Sequence, residues 1–129
     1  MITALYAGLL AKLLFILSIR VIGLRGNPAF SFIAHGKGDK ELLQRAIRAH
    51  GNFTEYAPMM LILLAFLELS DISELRLHLL GGSFLLGRVM HGICMGFMRS
   101  SMLLRIGGTA LTLFPLLAAA IALIAQHLA

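Results

Sequence analysis

The stretch that decides the fold is ITALYAGLLAKLLFILSIRVIGL, residues 2–24. A helix needs about 20 mostly apolar residues to cross a bilayer, and this run is long enough. It stops before the breaker Gly26-Asn27-Pro28. No basic stretch precedes Ile2 and no Ala-x-Ala site follows, so the run reads as an uncleaved first span rather than a signal peptide. Lys12 lies deep inside it, and the sequence leaves two places for that charge: snorkelling to the interface, or facing the interior of an assembly.

Three more segments of the same kind follow, at about 42–67, 75–97 and 103–128. The connection from Arg25 to Glu41 holds Pro28, Gly36 and Gly38 and reads as a true loop. The second connection is short and acidic, with Glu68, Asp71 and Glu74 against Arg76, and the third is a tight turn near Arg99-Ser100-Ser101. Short connections make neighbouring helices antiparallel. The expected fold is all-α: one transmembrane domain over residues 1–129, an up-down four-helix bundle. Pro58 and Pro115 lie inside spans, where bends are tolerated.

Composition excludes the main soluble classes. Of the 129 residues 59% are hydrophobic and 13% charged, against about 25% charged in an ordinary soluble domain; the mean hydropathy is +0.90. The net charge of +5 is carried by too few residues, too close to the spans, to suggest nucleic acid. A single cysteine, Cys94, excludes an intrachain disulfide and argues against a cysteine-based metal site; on an apolar span it reads as packing. The basic residues are unevenly placed. Arg25, Lys37, Lys40, Arg45, Arg48, Arg99 and Arg105 fall on the side of loops one and three, while Arg76 stands on the other side beside three acids. The positive-inside rule then predicts loops one and three in the cytoplasm and both termini outside, in a multi-pass protein of the cell membrane.

Charged groups within spans cost a few kcal/mol each and are rare unless they pair or bind something. The second span opens with Arg45, Arg48, His50, Asn52 and Glu55. At about 100° per residue Arg48, Asn52 and Glu55 share a narrow sector, with Arg45 close to it. The plain reading is mutual pairing, with Asn52 bridging Arg48 and Glu55, or residence at the headgroup level. A second stripe on the third span, Arg88 and His91 with Arg99 on nearly the same face, approaches the same end of the bundle. Two polar faces at one level predict a cationic cavity. Arginine forks suit carboxylates and phosphates, and Glu55 with Asn52 suits an ammonium or amide. Glutathione, with two carboxylates, an amine and a thiol, fits that pattern.

The segment Arg45-Ala46-Ile47-Arg48-Ala49-His50-Gly51-Asn52-Phe53-Thr54-Glu55-Tyr56-Ala57-Pro58 resembles the second-helix signature of the MAPEG family, the membrane-associated proteins in eicosanoid and glutathione metabolism, which includes microsomal glutathione transferases. The resemblance extends over essentially the whole chain. It implies a homotrimer with glutathione between neighbouring subunits near the cytosolic face. By position it implies glutathione binding by Arg48, Asn52, Glu55 and Tyr56, with Arg45 in the same stripe, and by the polar pair Arg88 and His91. His50 matches a position that reaches glutathione from the neighbouring subunit, and Arg25 is matched to the same role. The thiol-activating arginine at the start of the last helix is matched by Arg105, with Arg99 in reserve. Met95 stands where some members carry a tyrosine, a departure that touches catalysis rather than binding.

The implied activity is that of a glutathione transferase or peroxidase. A guanidinium beside the sulfur favours the thiolate, which attacks a lipophilic electrophile or hydroperoxide entering from the bilayer. No metal is implied. A non-catalytic member, binding glutathione, lipid or a partner protein, is the alternative, because fold alone does not give activity. A transporter is disfavoured by four short spans without broken-helix pairs.

Overall fold

A computed structural model describes residues 1–99 and 101–129; Ser100, part of the expected third turn, lies outside the described residues. Four helices follow in order: α1 Ile2–Leu24, α2 Lys40–Leu69, α3 Glu74–Phe97 and α4 Met102–Leu128. All four are long and apolar enough to cross a membrane. The chain is an all-helical membrane protein with its four helices packed together.

The helix ends sit where local chemistry puts them. α1 closes at Gly26, whose φ of 101° is open to glycine. Gly26 N–H donates to the Gly23 carbonyl and Asn27 N–H to Ile22, and Pro28 then forbids continuation. Loop one is not bare coil: Pro28–Ile33 form a 3-10 helix, started by the Asn27 side chain accepting from Ala29 N–H. α2 begins earlier than its apolar run because the Asp39 carboxylate caps it, accepting from Glu41 and Leu42 N–H at 3.0 and 3.2 Å. It ends in a similar motif with Asp71 in the left-handed position, φ 56°. α4 opens on Ser101, whose hydroxyl accepts from Leu104 N–H. Pro58 and Pro115 lie inside unbroken helices.

Specific contacts fix the directions. Glu68 meets Ile2 and His50 meets Ser18, so α1 and α2 run antiparallel. Asn52 meets Arg88 and Arg45 meets Cys94, which orients α3 against α2. Arg88 meets Thr112, which turns α4 back along α3. α2 and α3 are central, each packing on the other three helices, while α1 and α4 stay apart among the described residues.

The core is aliphatic, with Leu10, Leu17, Phe53, Met60, Leu64, Leu77 and Phe84 buried together. α3 and α4 approach most closely at two glycines. A Cβ on Gly87 would lie 2.7 Å from the Leu111 backbone, and one on Gly108 would lie 2.8 Å from the His91 nitrogen. Small residues let membrane helices touch backbone to backbone, and here that approach brings Thr112 up to Arg88.

Candidate functional site

The α2 stripe and the α3 stripe meet. Arg48, Gly51, Asn52 and Glu55 from α2, with His91 and Met95 from α3, line an open groove of about 350 Å³. That volume is in the range of small-molecule sites, roughly 300–1,000 Å³. Arg48 and Glu55 are both exposed to it. Among the described residues they form no ion pair with each other or with anything else. The expected internal pairing of the stripe is therefore absent for its two charged members.

Asn52 is occupied differently. Its side-chain oxygen accepts from Arg88 Nη1 at 2.6 Å, while Arg88 Nε donates to the Thr112 hydroxyl at 2.9 Å. Thr112 in turn donates to the Gly108 carbonyl. The Arg88 guanidinium carbon lies 5.7 Å from the centre of the Tyr56 ring. Arg88 is 2% exposed, so a buried cation is held from three sides and stands behind the groove wall. Thr112 carried no signal in the sequence; as one of two threonines on an apolar span, it acquires its role only through the α3–α4 approach.

The remaining candidates separate into other places. Arg45 and Arg105 share an adjoining pocket of about 150 Å³ with Cys94, Ser101, Met102 and Ile106. Arg45 also spends one nitrogen on the fold, donating from Nη2 to the Cys94 carbonyl at 2.9 Å. Arg99 reaches outward to Asp39 at 3.5 Å. His50 faces the opposite way, towards α1: its Nε2 is 3.1 Å from the Ser18 hydroxyl, and it shares a groove of about 250 Å³ with Arg25. The single chain thus carries two separate polar surfaces, one on α2 and α3 and one on α1 and α2.

A four-span bundle with this polar stripe on its second helix has a counterpart among known families, and the match covers residues 3–125. The chain belongs to the MAPEG family. Inner membrane protein YecN of Escherichia coli strain K12 is 41% identical over 91 residues, 70% of this chain and 67% of that protein. The protein of the same name from Escherichia coli O6:H1, strain CFT073, matches to the same extent. No solved structure gives a significant match.

One arginine of this MAPEG chain stood outside every sequence pattern. Arg20, on α1, is 0% exposed. Its Nε donates to the Gly96 carbonyl at 2.9 Å, and its Nη1 donates to the carbonyls of Ile33 and His35 at 2.7 and 2.8 Å. The guanidinium carbon lies 5.0 Å from the Phe97 ring centre, and His35 stacks on the same ring. The last carbonyls of a helix have no partner of their own and carry the negative end of its dipole. Arg20 and Arg45, from two different helices, satisfy two of them at the end of α3. No sequence pattern pointed to Arg20: it stands about one turn before the last residue of α1, and the carbonyls it serves are set by how the helices and loop one pack.

Proposed function

We propose that this chain is a membrane-embedded glutathione-dependent transferase or peroxidase. The observation that carries the reading is the groove lined by Arg48 and Glu55, neither in an ion pair among the described residues, together with Asn52 and His91. It offers a cation for a carboxylate and a carboxylate for an amine, the complement of a γ-glutamyl group. Membership in a family of glutathione and eicosanoid metabolism supports the same ligand.

In this reading Arg48 holds a glutathione carboxylate and Glu55 the γ-glutamyl amine. Arg88, fixed by Asn52 and Thr112 over Tyr56, supplies positive potential behind the groove and needs no reorganisation when the ligand arrives. Arg105, in the adjoining pocket, faces the sulfur and favours its ionised form. The thiol proton leaves to water, the thiolate forms a bond to the electrophilic carbon of a lipophilic substrate, and the leaving group departs. With a hydroperoxide the thiolate attacks the terminal oxygen, the O–O bond breaks and the alkoxide leaves as the alcohol; the resulting sulfenic acid condenses with a second glutathione thiol to the disulfide, releasing water. His50 and Arg25 lie on the other polar surface of the chain, which supports a homotrimer in which one copy's α1 and α2 close the groove of the next. The basic excess at this end supports loops one and three in the cytoplasm, and the relative YecN, an inner membrane protein, supports the same kind of location.

A second reading is favoured by one placement. Arg105 lines the adjoining pocket and not the groove, and Met95 occupies the groove wall. Both suit a member that binds glutathione without ionising it. A near-UV difference spectrum of the detergent-purified protein with glutathione separates the two. Thiolate absorbance that disappears in Arg105→Ala while binding persists supports the enzyme. Binding with no thiolate band supports the non-catalytic member. No binding contradicts both.

A further inference from the structure

α1 presents an outward apolar face with one charge in its middle, and on α2 the polar stripe ends at Glu55 and continues as an apolar face. On α1 the exposed residues Leu5, Leu9, Phe15 and Ile16 surround exposed Lys12. On α2 Met59, Ile62 and Phe66 continue the face that holds exposed Glu55. Neither charge has an ion-pair partner among the described residues.

The two charges lie at one depth. Ser18 and His50 touch at 3.1 Å and give a common level on the two antiparallel helices. At 1.5 Å per residue Lys12 stands about 9 Å beyond Ser18, and Glu55 about 7.5 Å beyond His50, both towards the loop-two end. They therefore agree in height to within about 2 Å, near the middle of their spans, where a lone charge costs most. Within one chain they are not brought together: the groove that Glu55 lines is walled by α2 and α3, with no residue of α1.

We propose that Lys12 of one copy of this chain pairs with Glu55 of a second copy, laying α1 of the first over the α2–α3 groove of the second. Opposite charge at equal depth selects the partner: lipid offers Lys12 no carboxylate at this level, and a second copy of the chain does. A carboxylate has lone pairs for more than one ammonium donor, so Lys12 and a ligand amine share Glu55. The pair makes the proposed assembly specific in register, and it makes Lys12 a wall residue of a groove its own chain lacks. It rests on the assembly part of the proposed function and not on glutathione.

The test uses two differently tagged copies co-expressed in membranes, both with Cys94→Ala, one with Lys12→Cys and the other with Glu55→Cys. Mild oxidation is expected to give a mixed-tag disulfide. The control pair, Lys12→Cys with Phe66→Cys, is expected to give none, since Phe66 is about 16 Å further along the same face. Co-purification of the two tags without the Lys12–Glu55 crosslink overturns the pair and leaves the assembly standing. Failure to co-purify overturns both. Should the cysteine variants not accumulate, Lys12→Met, Glu55→Gln and the double variant replace them, read by oligomer size in detergent. Loss of assembly in each single variant with recovery in the double supports the pair, and additive losses overturn it.

Discussion

The two ends of the bundle solve the same problem with opposite charges and different margins. At the loop-two end, Glu68 from α2 accepts from the first N–H groups of α1, those of Ile2 and Thr3, at 2.6 and 2.9 Å. At the other end, Arg20 and Arg45 donate to the last carbonyls of α3. Each is a helix terminus satisfied by another helix and matched to the sign of its dipole. The loop-two end keeps Asp71 and Glu74 against Arg76, a near balance of signs. The other end keeps Arg48, Arg88 and Arg105 after its carbonyls are served, with Glu55 as the nearby acid. The difference teaches that a count of arginines does not define a site: what remains after backbone groups are satisfied does.

That comparison breaks most visibly at Arg20. Arg20→Ala leaves three carbonyls without their donor and opens a hole beside Phe97. Charge-assisted hydrogen bonds contribute roughly 1.5–3 kcal/mol each, so a loss of about 3 kcal/mol or more is expected, read by thermal unfolding in detergent. Arg20→Lys recovers only part, because an ammonium lacks the planar fork. Next comes the α3–α4 approach that shapes the other end's surplus. Gly87→Ala puts a methyl against the Leu111 and Gly108 backbones, with an expected cost of roughly 1–3 kcal/mol for overpacking; under the proposed function it is also expected to weaken glutathione binding, by shifting Thr112 away from Arg88.

Thr112→Val sharpens the same point without the clash. It keeps the shape and removes the acceptor from Arg88 Nε, leaving a buried donor unmet at roughly 1–3 kcal/mol. Chemical denaturation should show that loss, while Arg45→Met leaves Arg88 untouched. At the loop-two end Glu68→Gln is expected to lower the melting temperature less than Arg20→Ala, since the amide oxygen still accepts one of the two N–H groups. The smallest effect is a gain. Asp71 holds a left-handed φ of 56° at the end of α2, and Asp71→Gly is expected to stabilise by about 0.5–1 kcal/mol in the same denaturation assay.

The four spans were legible because apolar length alone decides them. The added residues at the start of α2 came from the Asp39 cap, a local signal outside the hydropathy run. The stripe of Arg48, Asn52 and Glu55 was legible from helical spacing, and its meeting with His91 followed from depth. The division of labour among the arginines was not. Arg45 and Arg48 are one turn apart and chemically identical, yet Arg45 caps α3 while Arg48 lines the groove with no ion-pair partner among the described residues. Only the position of α3's last carbonyls distinguishes them, and that depends on how three helices pack. Arg20 and Thr112 were invisible for the same reason.

The central claim is that the free arginine at this groove, and not the arginines bound to carbonyls, recognises the ligand. Equilibrium binding of glutathione to the detergent-purified protein, with Arg48→Ala beside the parent chain, tests it most directly. The account predicts that Arg48→Ala weakens binding by about tenfold or more, the loss of one charge-assisted contact, with the melting temperature of the free protein unchanged. Unchanged affinity in Arg48→Ala would contradict it.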